Sequence, residues 1–340
     1  MLEVAPFMLW VVIGFLAFSL LLYCLLAGAD FGAGVLEIFM SGERREAQRG
    51  IIGKAMGPVW EANHIWLILI VVILFTGFPE VYSRVSVNLH IPLTAMLLGV
   101  IARGCSFTFR HYDAVKGRSQ RMYSGFFIFS SVWTPFCLGV VMGALTLGNI
   151  NPAAAGYAEG FIHPWFRPFP LALGLFTIAL FAFLAAVYLI GESPEGELRL
   201  SFVRKARWAS AATVLAGGVV FVSAHLDGLE LIPQFLRSKT AMGCLLLATL
   251  SLPLLWLALR NAQIWRARML AGMQVILILA GWMWLQFPVL VHMPQGDLTF
   301  FNAHAPERTL GNRAWALIVG GGFILPALFY LVRGFKLDEE

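Results

Sequence analysis

Long apolar runs recur nine times along this chain, at 7–39, 58–78, 85–109, 122–149, 166–191, 208–229, 241–259, 268–291 and 314–332. A hydrocarbon core of roughly 30 Å takes about 20 such residues to cross. A segment in lipid must also satisfy its own backbone N–H and C=O groups, which a helix does. The pattern predicts an all-α polytopic membrane protein with about nine transmembrane helices. Composition agrees, with 59% hydrophobic and 13% charged residues against roughly 25% charged in soluble domains. Such a chain is not disordered, a coiled coil or a secreted disulfide scaffold. Its net charge of +5 speaks to membrane topology and not to a nucleic-acid partner.

The basic residues set the expected orientation. With the N-terminus outside, only Arg84, Arg167, Arg237, Lys239, Arg308 and Arg313 fall in outward connections, and the other 18 of the 24 Lys and Arg fall inside. Cytoplasmic loops carry such an excess, so nine spans place the N-terminus outside and the C-terminus inside. The first run has Glu3 and no Lys or Arg before Arg44. It lacks the basic start of a signal peptide and is too long for one, so it reads as a retained helix. Residues 1–340 read as one integral membrane domain. The expected division is a first four-helix bundle over 1–150, a second over 151–292, and a peripheral helix with a cytoplasmic tail over 293–340. The longest inward connections are expected around 40–57, 110–121 and 192–207. The longest outward ones, around 150–165 and 292–313, hold His163, Trp165, His292, Asp297 and His304.

Cys24, Cys105, Cys137 and Cys244 all fall within spans, with no CxxC spacing. They read as buried thiols serving as small hydrophobes. The histidines are scattered in depth, and Glu61-x-x-His64 has no second copy of the kind a di-iron site needs. No haem or metal ligation by this chain is expected. Gly28 and Gly32 form a small-xxx-small face that lets helices approach closely.

Ionisable groups inside lipid are costly and mark function. Asp30 stands in Leu26-Ala27-Gly28-Ala29-Asp30-Phe31-Gly32-Ala33-Gly34, about 35 Å along the first helix from Phe7. That places it near the inner boundary. Glu37 follows two turns later on nearly the same face, so the two acids form a candidate ladder. Glu61 stands in Gly57-Pro58-Val59-Trp60-Glu61-Ala62-Asn63-His64-Ile65-Trp66. Pro58 suits a first helical turn, so Glu61 is expected at the positive end of a helix that starts there, sharing a face with His64. Arg103, near the inward end of the third span, is the natural counter-ion. Two readings of this cluster stay open on the residues alone. One is a structural ion-pair group that snorkels to the interface; the other is a path for proton uptake from the cytoplasm.

These segments carry a resemblance. Residues 27–34 look like the Asp-Gly-Phe-Asp-hydrophobic-Gly-x-Gly signature in subunit II of cytochrome bd-type quinol oxidases. Residues 57–67 resemble that family's Pro-x-Trp-Asp-Gly-Asn-x-x-Trp-Leu segment. Phe78-Pro79-x-x-Tyr82 resembles its Phe/Trp-Pro-x-x-Tyr, and Arg103-Gly104-x-x-Phe107-x-Phe109-Arg110 its paired-arginine motif. The specific resemblance covers about the first 115 residues. It implies two four-helix bundles plus a peripheral helix. It also implies a non-haem subunit of a quinol:oxygen oxidoreductase that is not active alone.

On that resemblance the partner is the haem-bearing subunit I, with haems b and d, in a bacterial or archaeal cytoplasmic (inner) membrane. A small accessory subunit, the quinone pool and a structural quinone are further implied associates. The implied proton pathway is Glu61, Asp30 and Glu37, supported by Arg103, Asn63, His64 and Trp66. The sequence departs at Ala27, where the family has Asp, and at Glu61-Ala62, where it has Asp-Gly. The rival classes are a membrane transporter or channel, in which Pro92, Pro135 or Pro253 would break helices around a midplane site, and a purely structural scaffold.

Overall fold

The computed structural model of the chain describes residues 7–40, 42, 44–112 and 118–337. Twelve helices account for nearly all of them, as apolar segments with no water to bond to require. In order they are α1 (Phe7–Glu37), α2 (Arg45–Gly77), α3 (Pro79–Asn88), α4 (His90–Tyr112), α5 (Arg118–Leu147) and α6 (Tyr157–Phe161). Then come α7 (Pro168–Glu192), α8 (Glu197–Leu226), α9 (Leu231–Arg237), α10 (Lys239–Arg260), α11 (Ile264–Gln286) and α12 (Glu307–Leu337). Between α11 and α12 lies a small antiparallel ribbon of β1 (Val289–Val291) and β2 (Leu298–Thr299). Hydroxyls inside the long helices bond back one turn. Ser19 donates to the Phe15 carbonyl at 2.6 Å and Thr177 to that of Leu173 at 2.8 Å, which hides a polar group within an apolar span.

Seven helices (α1, α4, α5, α7, α8, α10 and α11) are long and apolar enough to cross a membrane, and the bent α2 makes up to eight among the described residues. The chain is thus an all-α polytopic membrane protein. Its centre is α7, which is 67% buried along its most apolar stretch and packs on α1, α5, α8 and α11. Glycines allow the close approach. A Cβ at Gly32 would overlap the Phe181 carbonyl, and one at Gly143 would stand 2.6 Å from Pro170 Cα. α12 lies against α1 and α2.

Ion pairs gather four connections at one end, here called the basic end. Arg44 meets Glu197 at 2.8 Å, Arg110 meets Glu37 at 2.8 Å, and Arg268 meets Glu192 at 2.6 Å. At the opposite end Asp227 accepts from the Phe169 amide at 2.7 Å and from Arg167 at 3.1 Å. A carboxylate there complements the positive start of α7. Nearby, His292 and Asp297 pair at 3.2 Å on the rim of a cavity of about 300 Å³ that Trp282 and Gln286 also line.

Several expectations need correction. The inward connections are shorter than the apolar runs imply. α2 starts at Arg45 and α8 at Glu197, where 58 and 208 were expected. The reason is that Arg, Glu, Gln, Lys and Ala continue a helix as readily as Leu does, so hydropathy marks the lipid crossing and not the helix end. The expected third span from 85 is divided at Leu89 into α3 and α4. Pro58 does not begin a helix. It sits within α2, where the piece Ala62–Gly77 bends 49° away from Arg45–Gly57. An interior proline removes one backbone hydrogen bond and clashes one turn back, which kinks a helix. Glu61 therefore stands at a bend and not at a helix start. α4, α5 and α10 run on through Pro92, Pro135 and Pro253. Cys24 and Cys137 are buried, but Cys105 is exposed and Cys244 half-buried, because α4 and α10 turn broad faces outward.

Candidate functional site

The acids and arginines of the sequence motifs meet at the basic end of α1 and α4. Asp30 and Glu37 are seven residues apart on α1, and Arg103 and Arg110 are seven apart on α4. Two turns separate each pair, so the two helices match both pairs in height and the long arginine side chains span the distance between them. Arg103 Nη2 donates to Asp30 Oδ1 at 2.5 Å, and Nε donates to Oδ2 at 3.3 Å. The same guanidinium reaches the Asp30 carbonyl at 2.5 Å and, through Nη1, the Ser131 hydroxyl. Ser131 in turn donates to the Phe127 carbonyl at 2.5 Å. The fork-on-fork geometry is the strong form of a charge-assisted bond.

Both partners of that bridge are 1% exposed. The guanidinium lies between two rings, with Phe31 at 4.7 Å and Phe127 at 4.4 Å from its carbon. Such stacking contributes about 2 kcal/mol when the cation is desolvated. Space for it comes from Gly34, where a Cβ would overlap the Ser131 hydroxyl and lie 3.1 Å from Arg103 Nη1.

Glu37 is also fully buried and takes two arginines, Arg110 at 2.8 Å and Arg49 at 3.1 Å. Arg110 covers the Phe127 ring at 5.1 Å, so one ring carries both arginines. The expected acid ladder on α1 is thus a ladder of ion pairs, with Asp30 held by Arg103 and Glu37 shared by Arg110 and Arg49. Sequence reasoning named Arg103 as the counter-ion but gave no roles to Arg110, Arg49, Ser131 or Phe127. The equal seven-residue spacing in the two motifs was the signal for Arg110.

Glu61 lies on the described backbone of α2, but its side chain lies outside the described part of the structure. Its neighbours are placed. Trp60 stacks on Phe107 at 5.8 Å and lies over Gly104, so this turn of α2 abuts α4 beside Arg103. His64 is half-buried, with Nδ1 2.8 Å from the Trp60 carbonyl. Asn63 and Trp66 are buried. Trp60 Nε1, Asn63 Oδ1 and Trp66 Nε1 have no hydrogen-bond partner among the described residues. Ala27 is fully buried with Tyr23, Phe31, Trp66 and Phe181 in an apolar cluster. The side chain that replaces an acid in the family pattern is therefore packed as a hydrophobe. Among the described residues no group of three or more His, Cys, Asp or Glu is placed to hold a metal ion.

The whole fold has a solved counterpart. The structure titled "The structure of bd oxidase from Geobacillus thermodenitrificans" superposes with a TM-score of 0.78 over 98% of this chain and 100% of that one, at 18% identity. Cytochrome bd-I ubiquinol oxidase subunit 2 of Escherichia coli (strain K12) is 29% identical over 234 residues, 66% of this chain and 59% of that protein. The aligned part is therefore less than two thirds of that relative's length. Cytochrome bd ubiquinol oxidase subunit 2 of Bacillus subtilis (strain 168) is 32% identical over 124 residues, 36% of each chain. The sequence model described as cytochrome bd terminal oxidase subunit II matches residues 6–335. With that match over nearly its whole length, the chain belongs to the cytochrome bd terminal oxidase subunit II family.

Proposed function

We propose that this chain is the non-haem subunit of a terminal oxidase that couples quinol oxidation to the reduction of oxygen to water. Its partner is a haem-bearing subunit I that holds haems b and d, and the chain does not turn over alone. In this reading nine helices cross a bacterial cytoplasmic membrane, with α2 counted as one bent span and α12 as the ninth. The N-terminus is outside and the basic end faces the cytoplasm, where the excess of Lys and Arg belongs. α1, α2, α4 and α5 form one bundle, α7, α8, α10 and α11 the other, and α12 is peripheral. A structural quinone and a small accessory subunit are further associates that the family suggests.

The chain's own part is to bring protons from the cytoplasm toward subunit I by a route that turns on Glu61 and passes the buried acids Asp30 and Glu37. The observation that carries this is the paired set of bridges beside the α2 bend. Asp30 and Glu37 are each neutralised by arginine, so they fix the local charge and hold α1 and α4 in register. Glu61 then has the task of taking up and releasing the proton, with Asn63, His64 and Trp66 as its polar surroundings. A bend frees backbone groups from the helical ladder, which suits a place where a proton passes.

Glu61→Gln tests the assignment. A positioned acid or base contributes typically 10²–10⁴-fold, so oxygen consumption by the assembled complex falls at least about tenfold while its haem content stays normal. Glu61→Asp recovers most of the rate. Oxygen consumption at the wild-type level in Glu61→Gln would remove Glu61 from the path.

A further inference from the structure

We infer that the basic end of α8, with the bare helix face above it, binds an anionic phospholipid. This rests on the reading that the basic end faces the cytoplasm. Arg204, Trp208, Leu215, Val219 and Val222 recur at spacings that share one side of a helix, and half-buried Lys205 flanks that side. Trp208 is 75% exposed and Leu215 72%, so none of the described residues covers that side. Leu215 stands about 17 Å from Arg204 along the axis, close to one leaflet of a hydrocarbon core of roughly 30 Å. The face thus offers positive charge at the headgroup level, an aromatic ring just below it, and aliphatic groups down to mid-membrane.

No carboxylate forms a direct ion pair with either basic group among the described residues. Glu197 lies on the same side of α8, but Arg44 holds it at 2.8 Å. Glu37 is buried and shared by Arg49 and Arg110. Arg204 has no carboxylate partner among the described residues. Lys205 Nζ donates to Gln48 Oε1 at 2.7 Å, while the amide of Gln48 donates to Ser201 at 3.1 Å. That contact uses one of the three ammonium donors and fixes the amine against α2, above the Phe202 ring at 5.2 Å. A phosphate with its negative charge matches this pair, and each basic side chain near such a surface contributes about 1 kcal/mol, roughly fivefold in affinity.

The occupant is lipid and not another helix. At two of the closest helix contacts a glycine faces the partner, Gly32 of α1 and Gly143 of α5 both lying against α7. The outward side of α8 carries exposed Trp208, Leu215, Val219 and Val222, with Ala212 and Gly218 as the small residues between them. Bulky aliphatic groups suit acyl chains, and small residues suit helix contacts.

The test uses the detergent-purified complex, stripped of lipid and titrated with dioleoyl-phosphatidylglycerol or dioleoyl-phosphatidylcholine, with bound lipid counted by native mass spectrometry. A photoreactive group at position 215 reports what lies on the face. The inference expects phosphatidylglycerol to bind more tightly than phosphatidylcholine. Arg204→Gln with Lys205→Gln weakens it roughly 25-fold, with haem content and melting temperature unchanged in lipid-free detergent. Arg260→Gln with Arg266→Gln, which removes the same charge elsewhere at that end, leaves binding intact, and position 215 crosslinks to lipid. Equal affinity for the two lipids, equal loss in both double variants, or crosslinking of position 215 to a polypeptide would each overturn it. None of these readouts depends on turnover, so failure here is distinct from failure of the oxidase reading.

Discussion

Arg103→Leu is expected to abolish stable accumulation of the chain, and Asp30→Leu to do the same. Each leaves one full charge at a site that is 1% exposed. Breaking a buried pair by removing one partner costs about 3–5 kcal/mol, because the survivor keeps its desolvation penalty without its counter-charge. Total stabilities are about 5–15 kcal/mol, so either loss is a large share of the whole. Arg103→Leu further removes the hydrogen bond that the Ser131 hydroxyl accepts and leaves the space between Phe31 and Phe127 only partly filled.

Replacing both partners behaves differently. Asp30→Leu together with Arg103→Met removes both charges and returns apolar volume to the site, and such swaps are often neutral. The double variant is expected to recover most of the lost protein. Chain abundance in membranes and the melting temperature of the purified complex measure this. Single variants as abundant and as stable as the wild type would contradict the energetics assigned to the bridge.

Gly32→Val is the second large effect. A Cβ there already overlaps the Phe181 carbonyl, and that atom belongs to backbone, which cannot rotate aside as a side chain does. α1 and α7 must separate to admit it, and α7 is the most deeply buried of the candidate spans. Overpacking a core costs typically 1–3 kcal/mol and occasionally more. With two backbones forced apart the loss is expected to exceed about 3 kcal/mol. Gly14, on the same helix, has no atom within 4 Å of an added Cβ. Gly14→Ala is expected to stay within about 0.5 kcal/mol of wild type, and even Gly32→Ala to be clearly destabilised. Equal melting temperatures for the two alanine variants would refute close packing at Gly32.

Parts of this arrangement are legible from residue order alone. Apolar runs locate the crossings because lipid tolerates little else. The Asp30–Arg103 bridge is legible because a buried acid needs a counter-charge at matching depth, and only a few basic residues occur inside spans. Gly28 and Gly32 are legible by their spacing. What escapes sequence reading depends on neighbours distant in the chain. Gly34 looks like more small-residue packing, yet its role is set by Ser131 and Arg103 on two other helices.

The start of α2 escapes because Arg45–Gly57 is helical through contacts at the basic end while polar enough to read as a loop. Once that stretch is helical, Pro58 turns from a helix start into a kink. Asp227 reads as a loop acid until α7 begins beside it. The exposure of Cys105 follows from which side of α4 meets α5, a choice that hydropathy does not encode.

The most direct measurement on the central claim is the optical absorption spectrum of the complex recovered with this chain from its own membranes. The account predicts that a second large subunit co-purifies and that the complex shows the bands of b- and d-type haem, which disappear from the pull-down when the chain is absent. Recovery of this chain with a haem-free partner, or with no partner at all, would contradict it.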